Sequence, residues 1–179
     1  MRQSPLPLAL DAINALDRSA FTARLGGVFE HSPWVAERAW AARPFAGLAA
    51  LHAAMVDAMR AGSEAERTAL LRAHPELAGR EAKERRLTAD SEGEQKSAGL
   101  DRFDAAEMRG LAVMNAAYRA KFGFPFIIAV RARTKDEILA EFAHRLARTQ
   151  AEERAAALAE VETIARIRLE RMLGARAAA

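Results

Sequence analysis

His74, Glu94 and Gln95 put an imidazole, a carboxylate and a primary amide into one connected stretch, HPELAGREAKERRLTADSEGEQ, and Arg168 adds a cation near the end of the chain. Imidazole and carboxylate are the usual groups of general acid/base catalysis. An amide offers a planar ligand one donor and one acceptor, and a guanidinium binds anionic or carbonyl oxygen. Each residue also has a plain structural explanation. His74 ends a helical pattern over 64–73 that Pro75 stops, and a histidine there can simply complement the helix terminus. Glu94 stands three residues after Ser91, the spacing of a capping box that starts a helix. Gln95 has no such task. Arg168 lies on the apolar face set by Leu158, Val161, Ile164, Ala165, Leu169 and Met172. A guanidinium buried there requires an anionic or carbonyl partner, either in an internal ion pair or in a ligand.

Other chemistries lack their parts. His31 flanks a cap, His52 lies in an apolar helical run and His144 on a charged one. No two histidines have ligand spacing and the chain has no cysteine, so neither a zinc site nor thiolate chemistry is expected. Phosphate-binding glycine loops, GxSxG and HExxH are absent from the sequence.

The elements that must position these residues read as helices. The chain has 179 residues, enough for one full core and cramped for two. Hydrophobic residues make up 51% but aromatics only 6%, so alanine and leucine carry the apolar content and favour helix over sheet. Ser32-Pro33 starts a helix through Ala42, which Arg43-Pro44 breaks; another runs from Phe45 to Arg60, with Gly62 at its close. Ser63…Glu66, Ser91…Glu94, Asp104…Glu107, Thr134…Glu137 and Thr149…Glu152 each pair a capping residue with a glutamate three later. A helix from 104 ends at Gly123, and the last runs from about Thr149 to Leu173. The expectation is an all-α chain: a single helical-bundle domain over 1–174 with a frayed tail at 175–179.

One stretch resists that scheme. Phe122-Gly123-Phe124-Pro125-Phe126, continuing through Ile127, Ile128, Ala129 and Val130, reads as an extended apolar strip, because proline cannot sit inside a helix and biases Phe124 to extended backbone. Its N–H and C=O groups have no sheet to pair with. Either it is a buried connector satisfied by loops and water, or its amides face a polar heterocycle.

Charge narrows the partners. Lys and Arg (27) exceed Asp and Glu (24) by three, and the two signs interleave along helical faces, the pattern of a solvated surface. No basic face for nucleic acid emerges. No apolar run reaches the roughly 18–20 residues of a membrane span, and the first residues do not form a secretory signal. The expectation is a soluble cytoplasmic protein that binds neither nucleic acid nor membrane.

Together, FEHSPWVAERAW (29–40), HPELAG (74–79), SEGEQKSAGL (91–100), FGFPFI (122–127) and EVETIARIRLERML (160–173) resemble the decarboxylases of 2-oxo-4-hydroxy-4-carboxy-5-ureidoimidazoline, OHCU. These enzymes form (S)-allantoin at the end of urate degradation. The resemblance implies an all-helical, homodimeric lyase without metal or cofactor. It makes His74 the catalytic histidine, Glu94 its acidic partner and Arg168 the site arginine. It places Pro75, Ser91, Gln95 and the Phe126–Val130 backbone (Phe126, Ile127, Ile128, Ala129, Val130) against the ureidoimidazoline substrate. The last helix departs at Thr163, where the family pattern has lysine. The competing class is a non-enzymatic helical interaction module, which leaves the His74, Glu94, Gln95 and Arg168 set as coincidence.

Overall fold

A computed structural model describes residues 9–77, 88–97 and 104–174, the side chains of Ala89, Gln95 and Ser97 excepted. The expected tail at 175–179 lies outside the described residues. Those described are helical without a strand among them: α1 (Leu10–Ala15), α2 (Arg18–Leu25), α3 (Pro33–Ala39) running into a 3-10 turn (Trp40–Ala42), α4 (Leu48–Arg60), α5 (Glu64–Ala73), α6 (Ala89–Ser97), α7 (Ala105–Phe122), α8 (Lys135–Arg145) and α9 (Gln150–Leu173). No described helix is long and apolar enough to cross a membrane. The chain divides into two compact units, Met1–Leu70 with Glu162–Ala179, and Leu71–Val161. Both boundaries fall inside helices, in α5 and α9.

In the first unit α3 packs against α2 and α4. Its buried side is Val35, Ala36 and Ala39; α2 contributes Phe21 and Leu25, and α4 contributes Leu51, Met55, Val56 and Met59. The α4 residues recur at three- and four-residue steps, one helical face. Asn14 ties down the loop that precedes α4 by donating to Phe45 O (2.9 Å) and accepting from Phe45 N (2.8 Å). Guanidinium groups lie over both indoles, Arg38 at 4.6 Å from the Trp34 ring and Arg43 at 4.1 Å from the Trp40 ring. Helix α4 ends at Arg60 with Ala61 as its cap, and Gly62 beyond it lacks the left-handed conformation of a capping glycine; packing accounts for it instead, since a Cβ there would stand 2.7 Å from the Trp34 ring.

The second unit is built on aromatic rings. Tyr118 of α7 meets Phe122, Phe126 and Phe142 with centroids at 4.6, 5.4 and 5.5 Å, and Phe126 stacks on Phe142 at 4.0 Å. Gly123 caps α7 in the left-handed conformation (φ 78°), which no β-carbon hinders in glycine. The apolar strip behind it is non-helical and buried from Phe124 to Val130.

The capping boxes at Ser63, Asp104, Thr134 and Thr149 form as the spacing predicts. The one at Ser91 does not. Helix α6 starts earlier, at Ala89, and Thr88 is its cap: Thr88 Oγ1 accepts from Ser91 N (3.3 Å) and Thr88 O from Glu92 N (2.9 Å). Asp90 and Glu92 then fall in the first turn, where negative charge meets the positive end of the helix. Thr88→Ala is therefore expected to cost about 1 kcal/mol in urea denaturation, with Thr88→Ser close to wild type. Equal stability of the two variants would show that this cap contributes nothing.

Candidate active site

His74 sits where α5 gives way to Pro75. Its backbone N–H reaches Leu71 O (3.3 Å), a last tightened turn, and the residue is 7% exposed. The turn that follows is held from α7, where the buried Asn115 donates from Nδ2 to Leu77 O (3.1 Å). Glu76 and Arg119 add an ion pair at 2.7 Å.

Ser91 and Glu94 stand three apart on α6 and so share a face. Ser91 is buried and Glu94 half-buried. Because α6 is capped from Thr88, Glu94 is a second-turn residue, and the capping duty that would explain it falls away. Gln95 belongs to the same helix.

The strip from Phe126 to Val130 is 1–5% exposed along its length. Two of its backbone groups are satisfied by charged side chains. Ile127 O accepts from Arg145 Nη1 (2.8 Å), and Ala129 N donates to Glu160 Oε2 (2.8 Å). Arg145 is held in turn by Glu153, with Nε donating to Oε1 at 2.8 Å, and Tyr118 Oη donates to the same carboxylate oxygen. Burial, and next the hydrogen bond to Glu153, drive the Tyr118 phenol far above its ordinary pKa. Tyr118 thus holds its proton and donates it in the hydrogen bond to Glu153.

Arg168 lies in the first compact unit, and the other residues above lie in the second. It is 2% exposed, as its place on the apolar face of α9 requires. Its Nη1 donates to Glu30 Oε2 at 2.7 Å and to Gly27 O at 3.3 Å. Glu30 is the internal partner that the buried guanidinium demands.

Glu30, Arg145, Glu153 and Glu160 lie outside the set of residues expected from the sequence. Two of them carried a readable signal. Arg145 follows Ile138 and Phe142 on one face of α8, and Glu153 precedes Ala157 and Val161 on one face of α9, all buried. Like Arg168, both stand on the buried apolar face of their helix.

The family model described as OHCU decarboxylase matches residues 14–170. The chain belongs to the OHCU decarboxylase family. A decarboxylase of this name from Haloferax volcanii is 41% identical over 162 residues, covering 90% of this chain and 94% of that protein. The mouse protein of the same name is 39% identical over 167 residues, 91% of this chain and 92% of its own length. The uric acid degradation bifunctional protein of Bacillus subtilis is 37% identical over 160 residues, but only 32% of it is covered. Among solved structures, an (S)-allantoin synthase superposes with a TM-score of 0.74 at 29% identity, over 93% of this chain and 54% of that one. An OHCU decarboxylase crystallised in the presence of (S)-allantoin shares the fold, with a TM-score of 0.64 at 22% identity, over 78% of this chain and 90% of its own. OHCU decarboxylases of full length are therefore matched nearly end to end.

Proposed function

We propose that this chain decarboxylates OHCU to (S)-allantoin and CO₂ in urate degradation. The observation that carries the reading is the family match over 14–170, which takes in His74, Glu94, the strip and Arg168 together.

The substrate's chemistry suits a site made only of side chains. Its carboxylate sits on C4, next to the C5=N imine. When the C4–carboxylate bond breaks, its electron pair forms C4=C5 and the imine π pair moves to nitrogen, which takes a proton. The 4-hydroxyl then gives up its proton, C4=O forms, and C5 is protonated on one face. The ring is its own electron sink, so no organic cofactor or metal is required.

In this reading His74 carries proton transfers to and from the substrate, and Glu94 orients and charges its imidazole. Arg168, directed by Glu30, meets an anionic or carbonyl oxygen. Pro75, Ser91, Gln95 and the Phe126–Val130 strip hold the ring and the ureido group, with Ala129 contributing otherwise than through the amide that Glu160 takes. Residues 1–174 act as one functional domain. The protein works as a cytoplasmic homodimer, on a small molecule and not on nucleic acid or membrane, as its interleaved charges suggest.

Generating the substrate from urate in situ and following circular dichroism tests the activity. The protein is expected to accelerate the appearance of optically active (S)-allantoin, before and after dialysis against a chelator. Racemic product at the spontaneous rate would overturn the reading, and activity lost to the chelator and restored by one metal would overturn its cofactor-free part.

A further inference from the structure

The strip behind Gly123 is buried, yet it belongs to no helix and pairs with no strand among the described residues. Apart from Val130 O, which accepts from Arg133 N at 3.2 Å, the backbone groups of the strip that find a partner among the described residues find it in side chains. Those side chains come as an organised set. Arg145 and Glu153, 1% and 0% exposed, form an ion pair whose guanidinium spends one donor on Ile127 O. Glu160, on the same helix as Glu153, accepts from Ala129 N, and its other oxygen takes Arg133 at 3.3 Å.

Ile127 and Ala129 are alternate residues, and both turn a backbone group to this set, Ile127 O to Arg145 and Ala129 N to Glu160. One edge of the strip is thus committed to α8 and α9. Ile128 lies between them, and its N–H and C=O have no partner among the described residues.

Stability alone does not account for this set. Desolvating two charges costs several kcal/mol for each ion, and apolar residues of similar volume often serve a core equally well. What the pair does that apolar side chains cannot do is aim a fixed donor at one peptide carbonyl.

We propose that Arg145, Glu153 and Glu160 are positioning residues: they clamp the Ile127–Ala129 edge so that the Ile128 edge is held in register for the donors and acceptors of the ureidoimidazoline. The inference rests on the decarboxylase reading above.

Glu160→Ala frees the Ala129 amide, whereas Glu160→Gln keeps an acceptor in its place. Arg145→Met with Glu153→Leu replaces the ion pair by apolar volume. KM, kcat, the Kd of (S)-allantoin and the melting temperature are measured for each. In Glu160→Ala and in the double variant, KM and the allantoin Kd are expected to rise about fivefold, the effect of roughly one hydrogen bond. In both, kcat should change less than KM. Glu160→Gln should restore both constants. Wild-type KM and Kd in Glu160→Ala, or a Gln variant as impaired as the Ala variant, would overturn the proposal. If the double variant does not fold, the Glu160 pair decides alone. A wild-type protein that makes no (S)-allantoin overturns the decarboxylase reading and this inference with it; an active wild type with unaffected variants overturns this inference only.

Discussion

His74→Asn is expected to leave a folded protein whose turnover has dropped by about 10²–10⁴-fold, the usual loss when a positioned acid/base group is removed. Position explains why the fold should survive. His74 closes α5 through its backbone N–H to Leu71 O (3.3 Å), and that bond does not involve the side chain. The next residue, Pro75, ends the helix whatever stands at 74. Asparagine is accepted at helix ends and keeps a polar group in a place only 7% exposed. Turnover, far-UV circular dichroism and the melting temperature measured on one preparation check the expectation. Near-wild-type turnover would reduce His74 to a helix terminator and leave the proposed mechanism without its acid/base group.

Glu94→Gln is expected to lower turnover at least tenfold, or ~1.4 kcal/mol in the barrier, with little change in melting temperature. The structure sharpens this expectation. Were Ser91 the cap, Glu94 would have a structural duty that Gln could share. With Thr88 as the cap and Ala89 as the first helical residue, Glu94 lies beyond the first turn, where the helix dipole is weak. Glutamine and glutamate have nearly equal helix propensity, so the helix should not register the change. Catalysis should. In the proposed mechanism the Glu94 carboxylate orients the His74 imidazole, a task the neutral amide performs less well. A variant with unchanged turnover would show that Glu94 does not act on His74.

Much of this was legible because helices announce themselves locally. Capping at Ser63, Asp104, Thr134 and Thr149 depends on residues three apart, and a reader of sequence sees all of it. Ser91 was misread because two capping residues compete: Ser91 has the glutamate three later, but Thr88 places Asp90 and Glu92 at the helix start. Arg168 was legible from its helix face, whereas its partner Glu30 is 138 residues away and no local pattern reaches it. The strip showed that its backbone would need unusual partners. Which side chains would come, Arg145 and Glu160, is set by how α8 and α9 lie against it. The two compact units were invisible for a related reason, since their boundaries fall within α5 and α9, where composition does not change.

The placement of the aromatic residues gives this protein a pair of built-in optical reporters. Trp34 and Trp40 both belong to the unit made of Met1–Leu70 and Glu162–Ala179. The chain's one tyrosine, Tyr118, lies in the other, packed among phenylalanines and bonded to Glu153. Indole emission excited at the red edge of absorption therefore reports on the unit that holds Arg168 and is silent about the one that holds His74. The tyrosine signal does the reverse. Denaturation followed at both wavelengths separates a molecule that melts as one cooperative body from one whose halves come apart in turn.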